Sequence, residues 1–221
     1  VVYEFYNKWE HMGIDFRGGQ DPTVPKTIQV FESTGNYTWT RPEGCTHIRV
    51  QLCGAGGGGT GYLESGGAGG YSEKYIDVNN ISTVDLTVGS GGGSVHYYGN
   101  AGDGGTTSFG SHLSASGGYG ANRNHQHEGG QGGDGTGGDL NITGGKGSGH
   151  GNSFGHWGPN NGGISYFGGG NGRRHSDGGD NTGEQLAAPG SGGSGNTPDA
   201  SRDGNDGRHG IVIVHEYYES K

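Results

Sequence analysis

Large aliphatic side chains are scarce in this chain of 221 residues. Leu, Ile, Val and Phe together supply 32 residues, about 14% of the chain, a level at which a highly charged sequence is normally expected to remain unfolded. The longest apolar run is Ile211–Val214, far below the ~20 apolar residues that a transmembrane helix needs. Composition alone therefore predicts disorder, and it excludes membrane insertion through a helix.

Basic residues and cysteines are also few. The chain has 13 basic and 22 acidic residues, and its net charge of -9 argues against a nucleic-acid partner. Cys45 and Cys53 lie at the two ends of one predicted strand, about 26 Å apart if that strand is extended, which is too far for a disulfide. We predict two free or buried thiols and no disulfide-rich scaffold.

Glycine, in contrast, is abundant and unevenly distributed. Of 57 glycines, 15 lie in residues 1–88 and 42 in residues 89–210. Outside the glycine runs, apolar and polar residues alternate with the period of two that is typical of half-buried strands. These predicted strands are 27–31, 47–53, 75–78, 84–88 and 211–218, with 75–78 and 84–88 expected to pair across the turn at Asn79 and Asn80.

No segment has a helical period, so the sequence predicts an all-β fold with essentially no α-helix. Strands on both sides of the glycine-rich region indicate that it is inserted into a small β-sandwich. The predicted organisation is an aromatic segment at 1–26, sandwich strands with the first glycine runs at 27–88, a glycine bundle with variable loops at 89–210, and a closing strand at 211–221.

The glycines have a spacing that favours packing over disorder. In residues 129–138, Gly129, Gly132, Gly135 and Gly138 fall on one row of a three-residue repeat and Gly130 and Gly133 on the next, whereas the third row carries Gln131, Asp134 and Gly137. A polyglycine type II helix has three residues per turn and no internal hydrogen bonds, so several such helices can bond laterally if their contacting faces lack a Cβ. We predict that Gly132 and Gly135 lie on a contacting row, and that Gly137→Ala is better tolerated than a change at either.

Several motifs resemble the glycine-rich domain of bacteriophage tail-fibre proteins. They are GNYTWTRPEGCTHIRVQLCGAGGGG at 35–59, DLTVGSGGG at 85–93, NAGDGGTTSFG at 100–110 and the closing G-x-x-G-I-V-I-V-x-E-Y at 207–217. The resemblance extends over about residues 27–218. It implies a β-sandwich with a polyglycine II bundle, similar to the glycine-rich tip adhesins of T-even-like phages.

The resemblance also implies a function: a tail-fibre tip that recognises a host surface protein or glycan through loops, located in the virion or outside the cell. The implied partners are the receptor and the rest of the fibre, and the bundle is either complete in one chain or shared in a homotrimer. The alternative is an extracellular filament or matrix subunit that polymerises through its N-terminal strand.

Residues 1–26 lie outside the family pattern. Their aromatic residues, followed by Pro22 and Pro25, suggest docking onto another chain, with an added edge strand on this domain as the equal alternative. The candidate attachment residues are Tyr3, Phe5, Tyr6, Trp9 and Phe16.

Side chains that interrupt the glycine rows are the candidate receptor contacts, since loops on a rigid scaffold are free to vary. Aromatic, Arg, Asn and His residues combine rigid contact area with adaptable hydrogen bonding, although some of the aromatics can instead fill gaps between bundle and sheet. The candidates are His96, Tyr97, Tyr98, Tyr119, Asn122, Arg123, His125, His127, Phe154, His156, Trp157, Tyr166, Phe167, Arg173 and Arg174.

Cofactor and catalytic signals are weak. His125 and His127 have the spacing of two metal ligands, but an exposed polar loop is the favoured interpretation. Asp134, Asp139, Asp203 or Asp206 are candidates for calcium, although the acid in residues 132–140 is displaced from the calcium-binding nonapeptide pattern and the repeat is not tandem. No nucleophile elbow, paired-carboxylate motif or HExxH is present. We expect no cofactor, no metal and no enzymatic activity.

Overall fold

The computed structural model describes residues 25–96, 99–122, 128–149, 161–170, 187–196 and 203–218. Within these ranges the chain forms β-strands joined by extended glycine-rich segments, and no helix occurs among them, so none could span a membrane. The all-β prediction is confirmed. The strands are β1 (Thr27–Phe31), β2 (Gly35–Thr40), β3 (Cys45–Cys53), β4 (Tyr71–Asp77), β5 (Thr83–Val88), β6 (Thr107–Phe109), β7 (Leu113–Ala115), β8 (Gly135–Thr136), β9 (Leu140–Ile142) and β10 (Ile211–Tyr218).

The strands form two antiparallel five-stranded sheets. The first sheet has the order β1-β10-β3-β4-β9 and the second has the order β2-β5-β6-β7-β8. β4 and β5, which the sequence analysis expects to pair, belong to different sheets, so the turn at Asn79 and Asn80 crosses from one sheet to the other. The short strands β6 to β9 lie within residues 89–210, the range that the sequence predicts as a glycine bundle with variable loops.

A side-chain core fills the space between the sheets. Alternate residues of β3 point inward and are fully buried, as the period of two predicts. The largest members of this core are Trp39, Ile48, Leu52, Leu86 and Phe109. Cys45 and Cys53 are both free and buried, as predicted, and burial raises the pKa of the Cys53 thiol to about 12.

Glu216 is a charged residue at the edge of this core, and its hydrogen bonds join distant parts of the chain. The carboxylate accepts hydrogen bonds from Trp39 Nε1 at 2.8 Å, from Gln29 Nε2 at 2.7 Å and from the Thr27 hydroxyl. A buried charge is tolerated when its oxygens are hydrogen-bonded in this way. Trp39 comes from the opening motif and Glu216 from the closing motif, so this hydrogen bond joins the two motifs in space.

The glycine segments form the second part of the molecule, which we call the glycine bundle. Segment 54–60 lies at its centre. Its successive N–H groups donate in turn to three antiparallel neighbours at 2.8–3.0 Å, so that every third residue faces the same neighbour. Its carbonyls accept from three parallel neighbours with the same period. The six neighbours all come from this chain: 66–70, 101–105, 203–208, 92–95, 118–121 and 193–196.

The three-residue alternation is the pattern that polyglycine type II packing requires, and the helix type itself stays a prediction. Many contacts between segments are too close to admit a side chain, although the small side chain of Ala55 is accommodated and fully buried. A Cβ placed on Gly57 would lie 2.2 Å from the carbonyl oxygen of Tyr119, and one on Gly132 would lie 1.8 Å from that of Gly144. Gln131 and Asp134, on the third row, are exposed as predicted.

Gly137 is not the tolerant position that the sequence analysis expects. Its φ is +77°, and a Cβ there would lie 2.8 Å from the carbonyl oxygen of His112. The three-residue row ends at β8, and Gly137 begins the turn that carries the chain from the second sheet to the first. A turn residue with a positive φ favours glycine because glycine has no Cβ to clash with the backbone, and this reason is unrelated to lateral packing between segments.

Candidate functional site

The described ends of several loops meet at the end of the bundle remote from the sheets, which we call the loop end. The backbone of His96 forms an isolated β-bridge with that of Asp203, and the backbone of Asn122 forms β-bridges with Asn100 and Glu128. The N–H of Ser148 donates to the carbonyl of Asn161 at 3.2 Å. Four connections between bundle segments therefore begin and end at the loop end. They are 96–99, 122–128, 149–161 and 196–203.

A buried turn at 60–65 occupies the centre of the loop end. The Thr60 hydroxyl donates to Glu64 Oε2 at 2.6 Å, and the Thr60 N–H donates to the Glu64 carbonyl at 2.9 Å. Leu63 has a φ of +84°, a strained value for a branched side chain, and is buried. These contacts make the loop end a fixed platform, and nothing in the sequence pattern singles out Thr60 or Glu64.

Two of the predicted receptor residues, His96 and Asn122, lie at the loop end, and Tyr119 lies three residues before Asn122 on the same bundle segment. Tyr119 is 57% exposed, although its backbone is anchored: its N–H donates to the Gln131 carbonyl and its carbonyl accepts from the Gly67 N–H, both at 2.9 Å. The remaining candidates at Tyr97, Tyr98, Arg123, His125, His127, Phe154, His156, Trp157, Arg173 and Arg174 lie outside the described residues, as do Tyr3, Phe5, Tyr6, Trp9 and Phe16.

Tyr166 and Phe167 lie at the opposite end of the bundle, next to the first sheet. The Tyr166 ring stacks on Tyr71 with centroids 3.6 Å apart, and Phe167 meets both rings edge-on. Tyr71 is the first residue of β4 and is buried. The structure therefore separates these two aromatics from the other candidates and places them where a gap between bundle and sheet is filled.

A cleft of about 670 Å³ opens beside Tyr119. We call it the Tyr119 cleft, and it is bounded by segments 100–103, 119–122 and 128–131 of the glycine bundle. The side chains that line it are those of Asn100, Asp103, Tyr119, Asn122, Glu128 and Gln131. The sequence analysis identified Tyr119 and Asn122 and missed the other four, because each is a single polar residue among glycines and only the fold brings them together.

The outer face of the first sheet carries a second polar cluster. Arg49 donates to both carboxylate oxygens of Glu73, at 2.7 and 2.9 Å, and the Tyr71 hydroxyl donates to Glu73 Oε2 at 2.6 Å. Arg49, together with Tyr71, holds the pKa of Glu73 below its usual value, whereas burial and Glu73 raise the pKa of Tyr71. Burial and the charge of Arg49 lower the pKa of His215. The charged groups of Arg49 and Glu73 are paired with each other, so we interpret the cluster as stabilising the sheet.

The candidate calcium ligands mostly have structural hydrogen bonds. Asp134 Oδ1 accepts from the Thr143 hydroxyl, Asp139 Oδ2 from the Tyr75 N–H, and Asp206 Oδ1 from the Ser94 N–H. Within the described ranges, no three His, Cys, Asp or Glu side chains come together as metal ligands. The proposed His125 and His127 pair lies outside these ranges.

A glycine bundle that is closed by a β-sandwich and carries its loops at one end defines a class of glycine-rich domains. A family model described as "Glycine-rich domain" matches residues 32–217, which is most of the chain. The protein belongs to this glycine-rich domain family. No curated protein sequence matches the chain significantly.

Proposed function

We propose that this domain is a receptor-binding tip of a bacteriophage tail fibre, located in the virion, which recognises a host surface protein or glycan through its loop end. The observation that carries the proposal is that four chain excursions begin and end at one face of a rigid bundle. Variable loops on a fixed scaffold are a common way of building recognition surfaces. The resemblance of motifs 35–59 and 207–217 to tail-fibre domains supports the same assignment.

Rigidity of the bundle supports this role because the scaffold is already ordered, so binding requires little loss of its conformational entropy. Every donor of segment 54–59 is satisfied within the chain, and its neighbours surround it on all sides. The sequence of a loop can change without disturbing this hydrogen-bond network, provided that the residues flanking the loop keep their backbone β-bridges. An adhesin that must adapt to changing receptors benefits from that separation.

Loop replacement tests the proposal. We expect that exchanging residues 123–127 or 154–157 for unrelated sequences of equal length will change which bacterial strains the purified chain binds, with unchanged thermal stability. The matched control is replacement of Asn79 and Asn80, an exposed turn at the opposite end of the molecule, which should leave strain binding unaltered. Identical strain binding by all variants would contradict the proposal.

A second function, a filament subunit, is favoured by the position of β1. This strand lies at the edge of the first sheet, directly after the aromatic segment, and its Ile28 and Val30 are 54% and 53% exposed. An exposed edge can accept a strand from a second copy. Electron microscopy of a chain that lacks residues 1–16 distinguishes the two: a filament subunit becomes monomeric, whereas a fibre tip loses only its attachment.

A further inference from the structure

We propose that the Tyr119 cleft binds a neutral sugar unit of a host-surface glycan. The inference deepens the proposed function and rests on it, since it assigns a ligand class to one part of the loop end. It is carried by the shape of the cleft, by the exposed tyrosine ring and by the chemistry of the side chains around that ring.

The cleft has the size of a small-molecule site. Its volume of about 670 Å³ falls within the range of roughly 300–1,000 Å³ that is typical of ligand pockets. Its lining presents polar and apolar surface in about equal measure. A ligand that fits it must therefore offer many hydrogen-bonding groups together with at least one apolar surface.

A pyranose ring has both properties, because its C–H groups form an apolar face and its hydroxyls form a polar rim. Tyr119 provides the matching apolar platform, since its ring is 57% exposed while its backbone is fixed. The tyrosine hydroxyl adds a polar tip that can bond to the rim of the sugar.

The other lining side chains match sugar hydroxyls, which both donate and accept. Asn100 and Gln131 carry carboxamides, which do the same, and both residues are exposed. Asp103 Oδ1 accepts from the Gly120 N–H at 2.7 Å, which fixes the carboxylate and leaves its other oxygen to accept from a ligand hydroxyl. The carboxylate of Asp103 disfavours an anionic sugar, whereas the charge of Glu128 is offset by Lys146, so we assign a neutral ligand.

The cleft is already formed by backbone contacts. The Ala101 N–H donates to the Ala121 carbonyl at 3.0 Å, and the Gly130 N–H donates to the Ser65 carbonyl at 2.9 Å. These bonds hold the walls in place without a ligand, which reduces the ordering that binding requires. Glu128 is held at the rim by Lys146 at 2.8 Å.

A protein epitope fits this cleft less well than a sugar. Protein interfaces bury about 800 Å² on each partner, and their centres are depleted in charge and enriched in aromatic residues. The Tyr119 cleft has one aromatic residue with two carboxylates and three carboxamides around it. Its chemistry suits a small hydroxyl-rich group.

Titration of the full 221-residue chain with defined oligosaccharides tests the inference. The probes are trisaccharides that end in glucose, galactose or N-acetylglucosamine, with their sialylated counterparts as the anionic comparison. We expect at least one neutral trisaccharide to bind and the sialylated ones to bind more weakly. Tyr119→Ala should weaken the Kd by about tenfold or more, the loss typical of one stacking aromatic, and Gln131→Ala should weaken it less.

Tyr75→Ala is the matched control, because Tyr75 is 58% exposed but lies on the outer face of the first sheet. This variant should bind the sugar as the unaltered chain does, and all variants should keep the same Tm. The inference is overturned if no neutral trisaccharide binds, if only anionic ones bind, or if Tyr119→Ala leaves the Kd unchanged.

The two proposals fail in different ways. If loop replacements alter strain binding but no neutral sugar binds, the proposed function survives and the sugar site is wrong. If a neutral sugar binds through Tyr119 but loop replacements leave strain binding unchanged, the sugar site stands as a property of the domain and the receptor-binding role is wrong.

Discussion

The sandwich and the glycine bundle both form a packed core, but the sandwich uses side chains and the bundle uses the backbone. In the sandwich, side chains such as Ile48 and Phe109 fill the space between two sheets, and the backbone is satisfied within each sheet. In the bundle, the backbone itself is the core, and its amides bond to neighbours on every side. A sequence poor in large apolar residues can therefore still fold, because lateral hydrogen bonds and close packing of glycine replace the missing side chains.

The two regions should differ in how much stability they lose when one side-chain carbon is added or removed. A side-chain core tolerates small losses of volume because its neighbours relax in part. A backbone core has no such freedom, because a neighbouring carbonyl cannot move without breaking hydrogen bonds on other sides. The predictions below use this difference.

The largest effect is expected for Gly57→Ala at the centre of the bundle. The added Cβ would lie 2.2 Å from the Tyr119 carbonyl oxygen and 2.7 Å from the Gly120 nitrogen. Because both atoms belong to an adjoining bundle segment, we expect the free energy of unfolding to fall by at least about 3 kcal/mol. Urea denaturation followed by circular dichroism measures the loss.

Gly93→Ala is the control for this prediction. Gly93 belongs to an outer segment, is exposed, and has no atom within 4 Å of a Cβ built on it. Its substitution should change stability by less than about 1 kcal/mol, with the sign set by the reduced freedom of the unfolded chain. Equal effects at Gly57 and Gly93 would show that the bundle does not pack through its glycines.

A smaller effect is expected when one carbon is removed from the sandwich. Ile48 is completely buried in the core, and Ile48→Val leaves a small cavity. We expect a loss of about 1 kcal/mol by the same denaturation assay. A loss as large as that for Gly57→Ala would remove the distinction between the two regions.

Much of the sandwich could be predicted from alternation alone. β1 and β10 have the predicted bounds, and β3 and β5 contain the predicted segments. β3, β5 and β10 bury alternate side chains, whereas Ile28 and Val30 of β1 are exposed. β2 is not among the strands predicted from alternation. The strands from β6 to β9 have two or three residues each, which is too short for a periodic signal.

The loop end could be predicted only in part. Tyr119 and Asn122, which interrupt the glycine rows, line one cleft, although the rows also carry small buried side chains such as that of Ala55. The same signal cannot say at which end of the bundle a loop lies. Tyr166 and Phe167 interrupt the rows as well, yet they pack against Tyr71, because direction along the bundle depends on which segments pair.

The smallest effect is expected from pH, and it should be confined to the sandwich. The pKa of Glu73 is lowered in the folded protein by Arg49, so its carboxylate stabilises the fold above the unfolded value of about 4.3, and that contribution is lost as pH falls through the folded pKa. Glu73→Gln should remove this part of the acid sensitivity. Because Arg49 is 29% exposed, the difference at neutral pH should be about 1 kcal/mol or less.

Glu128→Gln is the matched change in the bundle. The Glu128 and Lys146 side chains are 59% and 43% exposed, whereas Glu73 is 13% exposed, so solvent screens the bundle pair much more strongly. Stability measured from pH 7 down to pH 3 should therefore differ from the unaltered chain for Glu73→Gln and match it for Glu128→Gln. The bundle bonds between amides, which do not titrate in this range, so an equal response to both substitutions would mean that its stability depends on charge as the sandwich does.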